Sequence, residues 1–216
     1  MAAAVVAIGL VLAGVALVGL RHDRGSPTSF GSLALRPASL GPATRAPAPE
    51  TRASSERVSG GARATSARST RPVLLRIPAL GLTAPVERVV TSGGVLGVPD
   101  DVGHVGWWVG SALPGSPAGA TVIDGHVDSA VEGDGALFRV GDLRVKQRVT
   151  LTTENGRQVG YRVFARRVYS KTRALPTTLF DTVGAPRLVL ITCGGPFDPA
   201  AHSYRDNIAV FARPVT

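Results

Sequence analysis

Cys193 is the one cysteine of this 216-residue chain, and its surroundings are those a thiol nucleophile needs. It closes the apolar run Leu188-Val189-Leu190-Ile191-Thr192 and is followed at once by Gly194-Gly195-Pro196. A strand that ends in a cysteine and then in glycines leaves the sulfur uncrowded, with backbone N–H groups nearby. A cysteine serving only as a small buried hydrophobe more often sits in mid-strand. Being single, Cys193 cannot form a disulfide within the chain, and in an exported domain a lone thiol is a liability unless it is buried or used. A free thiol is mostly protonated at neutral pH, so nucleophilic chemistry requires a base or a cation beside it.

The candidates for that base are His22, His104, His126 and His202. His126 ranks first because it follows the apolar stretch Ala120-Thr121-Val122-Ile123 in Asp124-Gly125-His126-Val127-Asp128. Like Cys193, it stands where a buried strand emerges into a loop, and two such strand ends on one rim would meet. His202, in the loop after Cys193, ranks second, and His104, near Trp107-Trp108, third. His22 falls in a stretch that cannot position it. Acyl transfer also needs a group that stabilises negative charge on the carbonyl oxygen. Arg205 stands twelve positions after Cys193, just ahead of the apolar run at residues 207–212. If these two strands pair antiparallel, the intervening loop returns a guanidinium, charged at any relevant pH, to the thiol.

The elements that must position these groups read as strands. Residues 73–77, 86–90, 119–126, 187–193 and 207–212 are short apolar or β-branched runs. Residues 147–153 alternate, Val149 and Leu151 against Arg148 and Thr150, and residues 157–170 continue with Val159, Tyr161, Val163 and Ala165 on one face. Glu154-Asn155-Gly156 between them is a hairpin turn. Strands at this spacing without a long amphipathic helix predict an all-β barrel or sandwich. Short helices are expected near residues 136–143 and 177–180. The Trp107-Trp108 pair is read as packing a loop over a barrel end or lining a peptide groove.

The organisation is tripartite. Residues 2–20 contain only Ala, Val, Ile, Leu and Gly, long enough at about 1.5 Å per residue to cross a bilayer as a single-pass anchor. A cleaved signal peptide and a buried helix are the alternatives. The polar stretch that follows opposes the second, and the lack of a basic head and the length of the run oppose the first. Arg21 and Arg24 behind the span would favour a cytoplasmic flank, against the exterior domain expected, and a basic cytoplasmic head ahead of residue 1 is one resolution. Residues 21–71, rich in Pro, Ala, Ser and Arg, are expected to be a disordered tether, which confines the domain to one membrane surface. Residues 72–216 form the folded domain. Of the net charge of +9, the nine arginines and three acidic residues of 21–71 account for +6. A basic tether suits anionic lipid or wall polymer. The domain itself has no dense basic run and few aromatics, which argues against nucleic-acid binding.

Leu190-Ile191-Thr192-Cys193, preceded by Asp124-Gly125-His126 and followed by Arg205, resembles the sortase family. The wider stretches Cys193-Gly194-Gly195-Pro196-Phe197-Asp198, Tyr204-Arg205-Asp206-Asn207, Val98-Pro99-Asp100, Val105-Gly106-Trp107-Trp108 and Gly125-His126-Val127-Asp128-Ser129 resemble its actinobacterial class F branch. The likeness runs over residues 73–214. It departs from the family pattern at Val189, where many members carry Thr. The resemblance implies an eight-stranded sortase barrel, a catalytic trio of His126, Cys193 and Arg205, and Thr192 as a residue of the substrate groove. It implies cleavage of a sorting signal similar to Leu-Pro-x-Thr-Gly through a thioacyl-enzyme. The acyl group then passes to an amine, such as that of a peptidoglycan precursor, at the outer face of the cell membrane. Some sortases bind calcium through acidic loops. Glu132 and Asp134 alone are too few, so no metal or other cofactor is expected.

Three rival readings follow from the same residues. Water replaces the amine in a hydrolytic cysteine peptidase. A non-catalytic wall-binding module would leave Cys193 inert. A lipid-surface adaptor would work through the basic tether, whereas a transpeptidase should tolerate removal of residues 1–71.

Overall fold

The computed structural model describes residues 26–33 and 70–215. The expected anchor at residues 2–20 and most of the expected tether lie outside these residues. The strands are β1 (Pro72–Ile77), β2 (Leu82–Val89), β3 (Thr91–Ser92), β4 (Val95–Leu96), β5 (Val105–Trp108), β6 (Ala120–Gly125), β7 (Asp128–Ser129), β8 (Gly133–Asp134), β9 (Arg148–Thr153), β10 (Gln158–Ser170), β11 (Arg187–Asp198) and β12 (Ser203–Pro214). Eight of them close a barrel in the order β1-β2-β5-β6-β11-β12-β10-β9, while β3-β4 and β7-β8 form small hairpins. The expected eight-stranded, all-β barrel is therefore the observed fold. Among the described residues the helices are single 3-10 turns at Pro78–Leu80, Val140–Asp142 and Thr177–Phe180. The helix expected over residues 136–143 thus shrinks to three residues, while the one after Pro176 forms where expected.

Period-two alternation sorts the side chains between two cores. Leu75, Ile77, Val149, Leu151, Tyr161, Leu188, Leu190 and Val210 fill the barrel interior. Val122, Val189, Ile191, Ala209 and Phe211 face outward and are covered by Leu179, Phe180 and Trp108. This explains why β6 is buried at every position: one face lines the interior and the other lies under that cover. The tryptophans divide in the same way. Trp107 belongs to the interior core, and Trp108 stacks edge-on against Phe180 with ring centroids 5.5 Å apart. At the expected hairpin, Gly156 takes φ 79°, which only glycine adopts at little cost.

Two pairings govern the rim. β6 and β11 run parallel, with Ile123 opposite Leu190 and Asp124 opposite Ile191, so both chains leave the barrel at the same end. β11 and β12 are antiparallel, with Cys193 opposite Asn207 and a register shift between Gly194 and Phe197. β11 does not stop at Cys193, as the sequence suggested, but continues to Asp198. The β11–β12 hairpin outlasts β6, and Cys193 sits where β6 ends and the bulge begins.

The stretch read as a disordered tether departs from that expectation at residues 26–32. Phe30 and Arg166 exchange backbone hydrogen bonds of 3.0 Å in each direction, covering β10 beyond its last partner on β9. Arg166 is buried and donates through Nε to the Thr28 carbonyl at 2.9 Å. Its guanidinium carbon lies 4.7 Å from the centre of the Phe30 ring. Val168 N–H donates to Ser29 Oγ at 3.2 Å. An apolar ring and a buried arginine order a segment whose composition alone would leave it loose.

Candidate active site

The parallel register runs to Asp124 opposite Ile191, the Thr192 hydroxyl ties the next step to the Gly125 carbonyl, and His126 and Cys193 are the residues that follow directly on the two strands. Side-chain parity then fixes the face. Cys193 follows Val189 and Ile191, His126 follows Val122, and Arg205 precedes Ala209, all members of the outward-facing cluster. The three sequence-expected residues therefore share the outer face of the barrel at one rim. Cys193 and His126 are half-buried and Arg205 is exposed.

Their hydrogen bonds show how each is held. His126 Nε2 lies 2.8 Å from the Pro99 carbonyl. A carbonyl only accepts, so Nε2 carries the proton and Nδ1 is the nitrogen left for chemistry. Cys193 Sγ accepts from Lys171 Nζ at 3.1 Å, a partner sequence reasoning did not propose. Arg205 Nη2 reaches Asp198 Oδ2 at 3.4 Å with 65% of its side chain exposed. Asp198 is held below the usual carboxylate range by the backbone N–H groups of Ala201 and Ala200, and to a lesser degree by Arg205. The Asp198–Arg205 contact is long and wet, of the kind that water screens, and it leaves the guanidinium free to swing.

Thr192 differs from the groove residue expected of it. It is buried at 4% exposure, it has the interior parity of Leu188 and Leu190, and its hydroxyl donates to the Gly125 carbonyl at 2.8 Å. It braces the end of β6 against β11, and so aligns His126 with Cys193. A second brace links the two loops beyond. Tyr204 O–H donates to Asp128 Oδ2, and Tyr204 packs edge-on against Phe197 at 5.3 Å. Burial first, then the bond to Asp128 and its charge, and lastly the charges of Cys193 and Asp134, raise Tyr204 well above the usual phenol range. It stays a donor. Asp128 and Tyr204 stood in sequence motifs that carried no role, and the structure supplies one.

The lower-ranked histidines go elsewhere. His104 Nδ1 binds Glu87, which together with Asp101 raises it above the usual imidazole range against the opposing effect of burial. His202 is an exposed turn residue with φ 47°. His22 lies outside the described residues. Among the described residues, no group of three or more His, Cys, Asp or Glu could hold a metal ion.

Asp124 is the electrostatic oddity of the site. Its residue is 3% exposed, and both carboxyl oxygens are buried without a hydrogen-bond partner. It fits only because its neighbour on β5 is glycine: a Cβ on Gly106 would fall 2.3 Å from Asp124 Oδ1. Burial pushes Asp124 up to about 7, and the nearby backbone N–H groups of Asp124 and Gly106, which do not reach hydrogen-bond geometry with its oxygens, oppose this only weakly.

Comparison with known proteins agrees with this architecture. A family model for the sortase domain matches residues 75–215. Sortase A from Corynebacterium diphtheriae is 25% identical, with a TM-score of 0.51 over 69% of this chain and 63% of that one. Its lid mutant is 25% identical, with a TM-score of 0.50 over 69% and 73%. Sortase E1 from Streptomyces coelicolor, solved with a tripeptide in the active site, is 20% identical, with a TM-score of 0.52 over 68% of this chain and 89% of that one. No curated protein matches the sequence.

Proposed function

Because the chain belongs to the sortase family of cysteine transpeptidases, we propose that it cleaves a C-terminal sorting signal similar to Leu-Pro-x-Thr-Gly and transfers the acyl part to an amine of the cell wall. Residues 2–20 anchor it in the cell membrane as a single span, with the barrel outside. Among the described residues no helix is long and apolar enough to cross a membrane, so the anchor is read from the sequence. The class F reading likewise rests on sequence, on Val98-Pro99-Asp100, Gly125-His126-Val127-Asp128-Ser129 and Tyr204-Arg205-Asp206-Asn207.

The observation that carries the reading is the parallel β6–β11 pairing with β12 antiparallel beside it, since it supports one rim shared by a thiol, an imidazole and a guanidinium. Cys193 as thiolate attacks the carbonyl carbon of the scissile bond, and a C–S bond forms. Arg205 swings from Asp198 to the oxygen that becomes negative. The C–N bond breaks as His126, entering as imidazolium, gives its Nδ1 proton to the leaving amine. The neutral imidazole then takes a proton from the incoming amine, which displaces Cys193 and regenerates the thiolate.

The test is cleavage of a sorting peptide followed by mass spectrometry, with and without an added amine. The wild-type chain should form a thioacyl adduct at Cys193 and release amide product when the amine is present. Cys193→Ala should form neither. Comparable turnover in Cys193→Ala would overturn the mechanism, and acid product alone in saturating amine would assign hydrolysis instead.

A further inference from the structure

Lys171 follows the last residue of β10 and is fixed at three points. Its backbone N–H donates to the Arg205 carbonyl at 2.9 Å, its Nζ donates to Cys193 Sγ at 3.1 Å, and the same Nζ donates to Ser203 Oγ at 3.0 Å. The first bond ties the residue to the strand bearing Arg205. The other two aim the ammonium at the sulfur from the β12 side, opposite to the β6 side from which His126 approaches.

An ammonium has three donors and no acceptor. It can therefore stabilise a sulfur anion but cannot take the thiol proton. His126 already commits Nε2 to Pro99, and Arg205 leans on Asp198. Of the three nitrogen-bearing side chains at this rim, His126, Lys171 and Arg205, Lys171 is the one with a hydrogen bond to the nucleophile. Nothing in the sequence marks it, because it stands 22 positions from Cys193, just past the end of a strand whose role is otherwise packing.

We propose that Lys171 is a further catalytic residue, whose ammonium group holds the resting Cys193 sulfur as a thiolate. The thiol proton goes to solvent, and Lys171 keeps its own three protons. His126 then does not have to be the base that activates the thiol, and serves the proton transfers at the leaving and incoming amines. Ser203 keeps the ammonium in place when the sulfur is consumed in the thioacyl-enzyme. The assignment rests on the reading of Cys193 as nucleophile, but its test does not require a sorting peptide.

The experiment compares the full-length chain with Lys171→Met and Lys171→Arg. It measures the rate of Cys193 alkylation by iodoacetamide at pH 7 and the ultraviolet absorbance of the thiolate lost on alkylation. Lys171→Met should alkylate about tenfold more slowly and lose most of the thiolate absorbance, as expected when a neighbouring cation is removed from a thiolate. Lys171→Arg, which keeps the charge, should recover at least half of both. A Lys171→Met protein with wild-type alkylation and absorbance would overturn the proposal, as would a Lys171→Arg protein no better than Lys171→Met. Failure of the wild-type chain to cut any sorting peptide would sink the proposed function while leaving the thiolate result intact. The two failures are therefore distinguishable.

Discussion

The buried Asp124 carboxyl should contribute a loss of stability as pH rises, and Asp124→Asn should remove that contribution. The carboxyl has an ordinary value of 3.8 when exposed in the unfolded chain and about 7 in the folded one. Between those values the native state holds a proton that the unfolded state has lost, so unfolding releases it and is increasingly favoured with pH. The stability contribution is intact below pH 3.8 and is lost as pH rises through 7. A difference of about three pH units corresponds to about 4 kcal/mol in full, of which roughly 2.5 kcal/mol falls between pH 5 and pH 8. That share is large against a typical domain stability of about 5–15 kcal/mol. The assay is urea unfolding of wild type and Asp124→Asn at pH 5, 6, 7 and 8. Asparagine keeps the shape against Gly106 and does not titrate. Its own burial changes the absolute stability but not the slope. The other carboxylates titrate alike in both proteins and cancel in the difference. The wild-type curve should drop relative to the variant by about 2.5 kcal/mol over this range. Parallel curves would show that the Asp124 carboxyl is ionised or solvated in the folded protein, and the reasoning from its burial would be wrong.

Two further outcomes follow from the packing around the site. Thr192→Val removes the hydroxyl that donates to the Gly125 carbonyl, and should cost about 1–3 kcal/mol in denaturant unfolding because a buried acceptor loses its partner. Thr192→Ser should lose less than half as much, and equal losses would point to the methyl group instead. Deleting residues 26–32 strips Phe30 and Thr28 from β10 and Arg166, and should lower stability by about 2–4 kcal/mol. Amide exchange at residues 165–168 should quicken with it. A deletion with wild-type unfolding and exchange would return this segment to the tether. The expectation that residues 1–71 are dispensable thus needs a different boundary, since a domain cut at residue 72 lacks its own edge cover.

Much of the site was legible because its signals are local. Alternation at Val149 and Leu151, the continuous run at residues 187–192 and the Asn155-Gly156 turn each specify backbone over a few residues, and they foretold the strands and the hairpin. The glycines after Cys193 and the apolar stretch before His126 marked two strand exits. Thr192, Lys171 and Asp124 were not legible in the same way. Thr192 sits beside the nucleophile in sequence, but its parity turns it inward. Lys171 looks like any surface lysine until β10 pairs with β12.

By itself the sequence determined an all-β domain and the single thiol, and it singled out His126 and Arg205 as the groups expected beside that thiol, because residue type and short-range periodicity carry those signals. The tertiary structure decided that β6 and β11 run parallel, which brings His126 and Cys193 to one rim. It also decided that Phe30 and Arg166 recruit residues 26–32 to the barrel, and that the sulfur's hydrogen-bond donor is Lys171. Each of these depends on pairing between segments far apart in the chain, and their register is set by which faces can be buried together.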